Sequence, residues 1–458
     1  MKSSSPPLAI AGLAIAGLAI AGLWWAGCSD PSSSGEAGTS TSAPSTAPKS
    51  FRELVGEPPV EFSETLQTVR GLPEIGFESA SEGLPEGGTW REHPCLGDLD
   101  GDGRADLIAS NREENGLNVW RSMPDGSWEP RMKGIADNLM YGGSAIGDVD
   151  GDGDNDFLFA AHKEGLRVFL NDGEMNWTEL AGAAESPFLA LDVALGDLNG
   201  DEHLDAVTIA QFKIRTGGLA VYYGRGDGTF ELQPQHQARM GRSKMGNQIE
   251  LHDIDGNGLD DVFITAEWSC LLFTTHLSEE GTVRFDDLSE GLPVPPKNMG
   301  NVLRSFVPID VEGDGVFEVA FAGMCDPGVP VEERHSVGVY RWIDGGADAP
   351  SHWEVFGEGL EDGLAYKDVL AADLDGDGLD DLITIGPGLG ASVYRGDGAG
   401  NFEAIGMLAG SEAGGRGALG DIDNDGRTDV VVIVGATKAR PVGAGVRTFL
   451  NRKEAWEK

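Results

Sequence analysis

The nine residues from Asp98 to Asp106 read DLDGDGRAD and carry four aspartates before the chain turns apolar. Carboxylates packed this closely repel one another by several kcal/mol at low effective dielectric, so the pattern calls for a positive charge among them. A hard cation such as calcium takes about six to eight oxygens at about 2.3–2.6 Å, from carboxylates, carbonyls and water. In a tight loop the side chains at positions 1, 3 and 5 converge on one point, with the carbonyl of position 7 and a carboxylate at position 9. Aspartate suits this because its short arm fixes the oxygens near the backbone. Glycines at positions 4 and 6 permit the sharp bend. An apolar residue at position 2 points away from the ion into the core.

The stretch recurs as GDVDGDGDND (147–156), GDLNGDEHLD (196–205), HDIDGNGLDD (252–261), IDVEGDGVFE (309–318), ADLDGDGLDD (372–381) and GDIDNDGRTD (420–429), giving seven copies. They begin at Asp98, Asp148, Asp197, Asp253, Asp310, Asp373 and Asp421, separated by 48 to 63 residues, the period of propeller blades. Position 12 is Ala109, Phe159, Thr208, Ile264, Phe321, Thr384 or Val432, and a β-rich run follows every loop. An EF-hand, which needs a glutamate at position 12 and flanking helices, is excluded.

Elements that position these loops are legible between them. VWRSMPDGSWEP, VFLNDGEMNWTEL, VYYGRGDGTFEL and VYRGDGAGNFEAI each show a short β-rich run, a glycine-containing turn and an aromatic opening another strand. Each unit therefore reads as strand, acidic loop, strand, strand, turn, strand, with no sustained helical period outside the N-terminal region. The expected fold is all-β, a seven-bladed β-propeller of four-stranded blades with a calcium-binding loop in each. The segment IGFESASEGLPE (75–86) resembles the exit of an interior unit, RFDDLSEGLPVP (284–295). A strand near Gly76 to Ala80 is therefore expected to complete the last blade and clasp the ring, the alternative being a short terminal strand starting at Trp456. Most tryptophans fall at strand positions and are expected in the core.

DLDGDGRADL and its partners are similar to the FG-GAP/VCBS repeats of integrin α-chain propellers and many exported bacterial proteins, in which the loop binds calcium. The resemblance covers roughly residues 90 to 458 and implies ligands by position. The first loop offers Asp98, Asp100, Asp102 and Asp106 with the carbonyl of Arg104; the second Asp148, Asp150, Asp152 and Asp156 with Asp154. The fourth offers Asp253, Asp255, Asn257 and Asp261 with Leu259, and the sixth Asp373, Asp375, Asp377 and Asp381 with Leu379. The seventh offers Asp421, Asp423, Asp425 and Asp429 with Arg427. Two loops depart. The third, Asp197, Asn199, Asp201 and Asp205 with His203, puts Glu202 where glycine is expected. The fifth, Asp310, Glu312, Asp314 and Glu318 with Val316, uses longer glutamates. About five strong calcium sites are expected, up to seven in all.

The balance of 76 acidic against 33 basic residues argues against a nucleic-acid partner, which needs a basic face. At the N-terminus MKSSSPP precedes an uncharged apolar run ending at Cys28. WAGCSDPSSS resembles the lipobox of bacterial lipoproteins, although Trp25 stands where leucine is usual. That implies a signal peptide over 1–27, lipidation of Cys28 and anchoring to a membrane at the cell envelope, outer membrane or cell surface; an uncleaved anchor is the alternative. Residues 28–50 read as a disordered Ser/Thr/Pro tether, and 51–89 as an N-terminal segment before the propeller at 90–458. Export permits disulfides, and Cys270 with Cys325 is the pair to test, three buried thiols being the alternative.

No HExxH, GxSxG or P-loop appears, and the eight histidines are scattered. Arg225-Gly226-Asp227 and Arg395-Gly396-Asp397 lie in hairpin turns, where Gly-Asp-Gly is favoured for its geometry. The longer insert at 233–250, locally basic through Arg239, Arg242 and Lys244, is the candidate ligand or partner surface. The reading is an exported, calcium-binding propeller serving as a binding or adhesion scaffold. A lectin-like carbohydrate binder and a polysaccharide lyase-type enzyme on the same fold are the alternatives.

Overall fold

The computed structural model describes residues 72–90, 92–112, 116–162, 164–185, 190–210, 219–237, 246–266, 269–292, 302–324, 336–345, 350–361, 363–386, 389–411, 414–434, 445–452 and 456. The signal, Cys28, the tether, Cys325, Trp268 and the basic residues Arg239, Arg242 and Lys244 lie outside them.

Among the described residues twenty-eight strands form seven four-stranded antiparallel sheets arranged as a seven-bladed β-propeller. After β1 (Glu78–Ser79), blade one runs in chain order through β2 (Cys95–Gly97), β3 (Asp106–Ser110), β4 (Leu117–Ser122) and β5 (Trp128–Pro130). Every acidic loop joins the first strand of its blade to the second in one register. Gly97 faces Asp106, Gly147 faces Asp156, Gly196 faces Asp205, His252 faces Asp261, Ile309 faces Glu318, Ala372 faces Asp381 and Gly420 faces Asp429. Position 9 is thus always the first residue of the second strand.

Second strands such as Asp106–Ser110, Asp156–Ala161 and Asp429–Val434 are buried along their whole length. Sheets covered on both faces read as continuous apolar runs rather than alternating ones, which is why DLIAS, DFLFA and DVVVI show no polar face. The apolar core is divided into seven clusters, each between adjacent blades. Leu158, Val168, Ala206 and Tyr222 join blades two and three, and Leu107, Trp120, Val431 and Val446 join blades one and seven. The position-2 residues enter these clusters: Leu99, Val149, Leu198, Val311, Leu374 and Ile422 are buried, and Ile254 is half-buried.

The ring closes through the N-terminal clasp. β1 pairs with the third strand of blade seven (Gly445–Leu450), Glu78 opposite Leu450 and Ser79 opposite Phe449. Ala80 N donates to Thr448 O (3.0 Å), Thr448 N to Ser81 Oγ (2.9 Å), and Arg452 Nε pairs with Glu78 Oε2 (2.9 Å). Trp456 starts no strand. Its ring packs edge-on to Phe77 at 6.2 Å and its Nε1 donates to Asn451 Oδ1 (2.8 Å).

Trp90, Trp120, Trp128, Trp177 and Trp353 are core residues, whereas Trp342 and Trp456 are only half-buried. Cys270 is a free thiol buried between blades four and five beside Leu272 and Phe306. Cys325, its candidate disulfide partner, lies outside the described residues.

Candidate metal centres and the central channel

The loops are built from their own backbone inward. Asp98 Oδ1 accepts from Gly101 N (2.8 Å) and Asp102 N (3.1 Å), and its Oδ2 accepts from Gly103 N (2.8 Å). Asp102 Oδ1 accepts from Arg104 N (3.0 Å), fixing the residue whose carbonyl is the expected position-7 ligand. Gly101 and Gly103 take φ of 72° and 84°, the left-handed region that glycine enters without strain. Asp148, Asp373 and Asp421 wrap their loops in the same way.

Position 9 has a second role that its spacing did not reveal. Asp106 Oδ2 accepts from Leu99 N (3.0 Å) and its Oδ1 from Ser122 N (2.8 Å), tying the loop to β4. The equivalent bonds run from Asp156 to Val149 and Asn171, Asp205 to Leu198 and Gly224, and Asp261 to Ile254 and Thr275. They run likewise from Asp381 to Leu374 and Gly396, and from Asp429 to Ile422 and Asn451. Burial pushes the carboxyl of Asp106, Asp205, Asp261, Asp381 or Asp429 up to about 7, and that of Asp156 to about 6, against the pull of those N–H groups. Position 8 links neighbouring loops: Asp260 Oδ2 accepts from Asp197 N (2.8 Å), and Asp380 Oδ2 from Asp310 N (2.8 Å).

Carboxylate oxygens come within 4.8 Å of one another in five groups: Asp98/Asp100/Asp106, Asp148/Asp150/Asp156, Asp253/Asp255/Asp261, Asp373/Asp375/Asp381 and Asp421/Asp423/Asp425. These are the first, second, fourth, sixth and seventh loops. Asp429 makes the same two backbone bonds as its counterparts but is not in the seventh group, where Asp425 takes the third place. Among the described residues the third and fifth loops form no such group. Asn199 supplies an amide where the others carry a carboxylate, and Glu202 takes a φ of 66°, a conformation costing a non-glycine residue about 1–2 kcal/mol. Oδ1 of Asp100 and Oδ1 of Asp423 are buried without a partner, the other Asp100 oxygen meeting Arg121. Orphaned oxygens converging in a tight loop fit a hard cation.

Four loops carry a built-in counter-charge. Arg121, on β4, pairs with Asp100 and Asp102. Arg395, at the same place in blade six, holds Asp375 at 2.8 Å, and Arg341 in blade five lies 3.6 Å from Glu312. Arg452 reaches Asp423 (2.5 Å) and Asp425 (3.3 Å). Arg395, the first residue of one Arg-Gly-Asp, is thus turned onto its own blade. Blades two, three and four carry Leu170, Tyr223 and Thr274 at the arginine position.

A separate polar cluster stands in the central channel. Five residues before each loop's first aspartate stand His93 and Gly143, just ahead of their blades' first strands, and Asp192, Gln248, Ser305, Asp368 and Arg416 on theirs. Arg416 joins several of these groups: its Nη1 lies 3.0 Å from His93 Nε2 and 3.5 Å from Asp368 Oδ1, and donates to Arg304 O (2.7 Å) and Lys367 O (2.8 Å). Burial works against the Asp368 carboxylate, yet His93, Arg416 and the Gly417 N–H together hold it below the usual range. Asp192 Oδ2 accepts from Ile249 N (3.1 Å) on the next blade, and a Cβ at Gly143 would stand 1.7 Å from Asp192 Oδ1, so glycine is required there. Beside this ring a cavity of about 450 Å³ is lined by first strands of the blades, including Cys95, Ala194, Glu250 and Leu370. Burial pushes Glu250 up to about 8, with Asp368 adding to the effect, and the Cys95 thiol to about 12. The signal for this ring was in the sequence, as a fixed offset from each loop, but its residue types vary from blade to blade.

Residues 98–159, 148–208 and 373–432 match the family described as FG-GAP-like repeat. No curated protein matches the chain. Similar solved structures include an Agrocybe aegerita lectin that recognises non-reducing terminal N-acetylglucosamine, with 17% identity over 79% of this chain and 86% of the other and a TM-score of 0.47. BBS1N in complex with ARL6DN shares 9% identity over 83% of this chain and 99% of the other, with a TM-score of 0.50. The V. cholerae biofilm matrix protein Bap1 shares 13% identity over 82% and 91%, with a TM-score of 0.42. At such identities likeness speaks only of the fold.

Proposed function

Since the chain is an FG-GAP-repeat β-propeller, we propose that it is an exported, lipid-anchored binding scaffold whose blades are held together by calcium. The observation that carries the calcium reading is the convergence of carboxylate oxygens within 4.8 Å in five loops, with orphaned oxygens on Asp100 and Asp423. The chain's own part is to hold positions 1 and 5 against backbone N–H groups and to leave position 3 facing the loop centre. Calcium would supply positive charge beyond the single arginine that the first, sixth and seventh loops already carry. All ligands of one loop lie within nine residues of chain. This supports a structural role for the metal rather than a catalytic one.

Export is supported by the lysine, apolar run and Cys28 at the N-terminus, and the Ser/Thr/Pro tether suits a domain displayed away from a membrane. Extracellular calcium is often millimolar, and loops of this type in extracellular modules bind with Kd of about 10⁻⁴–10⁻³ M. Each occupied site then adds roughly 0.4–1.4 kcal/mol to stability. The test is a thermal melt of the purified chain with calcium and with chelator. A drop of several degrees on chelation supports the proposal; superimposable melts overturn it.

A further inference from the structure

Blade five departs from the other six at places that meet in one groove. Trp342 stands two residues beyond Tyr340, which pairs with Val319, as Ser122 stands two beyond Trp120, which pairs with Leu107. At that position the other blades carry Ser122, Asn171, Gly224, Thr275, Gly396 and Asn451, small residues whose N–H groups cap the position-9 aspartate. Blade five has instead a tryptophan and, at position 9, the longer Glu318, which accepts from Val311 N (3.2 Å) and lies 3.8 Å from Arg341. Position 8 is Phe317, and Val316 before it is 62% exposed.

These residues form one wall of a groove of about 730 Å³ whose other wall is blade four, through Thr274, His276 and Asp286. That volume is in the range of small-ligand sites. The half-buried Trp342 ring is held in place. It meets Trp353 at 5.2 Å and 60°, and its Nε1 donates to Asp344 Oδ1 (3.1 Å). Trp353 is anchored in turn by Nε1 donating to Leu288 O (2.7 Å). Phe317 packs edge-on against His252 at 4.2 Å.

The charges of the groove face one another. Arg341 stacks over Phe356 at 3.4 Å and is shared by Glu312 and Glu318. His276 lies 4.0 Å from Asp255 and 3.9 Å from Asp286, and Arg284 lies 2.5 Å from Asp286. A cation entering here would compete with groups already in place, whereas a hydroxyl both donates to carboxylates and accepts from guanidinium. A fixed aromatic face beside such mixed donors and acceptors matches a sugar ring, apolar on its C–H face and polar at its edge.

We propose that the groove between blades four and five binds a neutral carbohydrate, a pyranose ring lying on Trp342 with its hydroxyls on Asp286, His276 and Arg341. This names a ligand for the scaffold and does not rest on calcium in the other loops. The test is a printed array of neutral and acidic glycans probed with the calcium-loaded full chain, followed by calorimetric titration of the best binder. Trp342→Ala should cost about tenfold or more in affinity. Because that change also loosens Trp353, Asp286→Asn is the companion. It should melt like the parent and bind several-fold more weakly. Absence of neutral glycan binding by a chain that melts cooperatively overturns the proposal, as does binding that neither substitution alters. Preferential retention of tetramethylammonium, lost in high salt, also overturns it. Failure of the calcium melt leaves these outcomes readable, since they need only a folded ring.

Discussion

Arg121 offers a direct way to weigh protein charge against metal charge in one loop. Its guanidinium pairs with Asp100 and with Asp102 at 3.1 Å, and the Asp100 side chain is only 7% exposed. One such pair is worth about 5 kcal/mol gross at an effective dielectric of about 20. Desolvation and the ordering of two side chains cancel most of that, leaving about 1–2 kcal/mol net for a charge-assisted contact of this burial. Arg121→Met should therefore lower the stability of the calcium-free chain by about 1–2 kcal/mol. Calcium no longer has to displace a guanidinium, so the first loop should bind it about 5- to 30-fold more tightly. The reciprocal graft, Leu170→Arg, places an arginine at the equivalent position of the second loop and should weaken that loop by a similar factor. Competition titration against a chromophoric calcium chelator reads the affinities, and urea unfolding in chelator reads the stability of the metal-free state. If Arg121→Met leaves every binding step unmoved, or weakens one while stabilising the metal-free chain, the competition argument is wrong.

Asp381→Ala removes the acceptor for Leu374 N and Gly396 N and leaves two buried donors unpaired, at a cost of about 2–5 kcal/mol in urea unfolding even in chelator; a smaller loss would reduce position 9 to a metal ligand alone. Glu250 ionises near pH 8 in the fold against an ordinary 4.5, so its contribution is full below about 4.5 and is lost as the pH rises through 8. Glu250→Gln should accordingly melt higher than the parent at pH 9 and match it at pH 4, and equal melts at both would contradict the buried carboxyl. Beginning the chain at Ser81 rather than Leu72 removes β1, bares the edge of the last blade, and should lower the melting temperature and promote association through that edge, as light scattering would detect.

Much of this architecture could be read from residue order because the informative contacts are local and repeated. Asp98, Gly101, Asp102 and Gly103 meet within one turn, and the same grammar seven times over fixes the blade count. The clasp at Glu78–Ser79 was legible because its flanking sequence matches the exit of an interior unit. Other features depend on contacts between strands or blades. Arg121 and Arg395 reach their loops from the third strand, a placement that needs the strand register. The channel ring from His93 to Arg416 keeps its offset but not its chemistry, since each blade contributes a different side chain to a shared centre. Trp342 reads as one more strand aromatic until the register sets it beside Ser122, Asn171 and Gly224. Glu202 and the two glutamates of the fifth loop were visible departures, and the structure gives the third a left-handed non-glycine residue and the fifth an arginine neighbour.

The central claim is that five of the seven loops are built to hold calcium strongly and the other two weakly or not at all. Anomalous scattering from a crystal of the full chain grown in calcium tests it site by site. Peaks should lie among Asp98/Asp100/Asp106, Asp148/Asp150/Asp156, Asp253/Asp255/Asp261, Asp373/Asp375/Asp381 and Asp421/Asp423/Asp425, with the Asp197 and Asp310 loops weak or blank. Blank density at those five clusters, or equal peaks at all seven, would contradict the account.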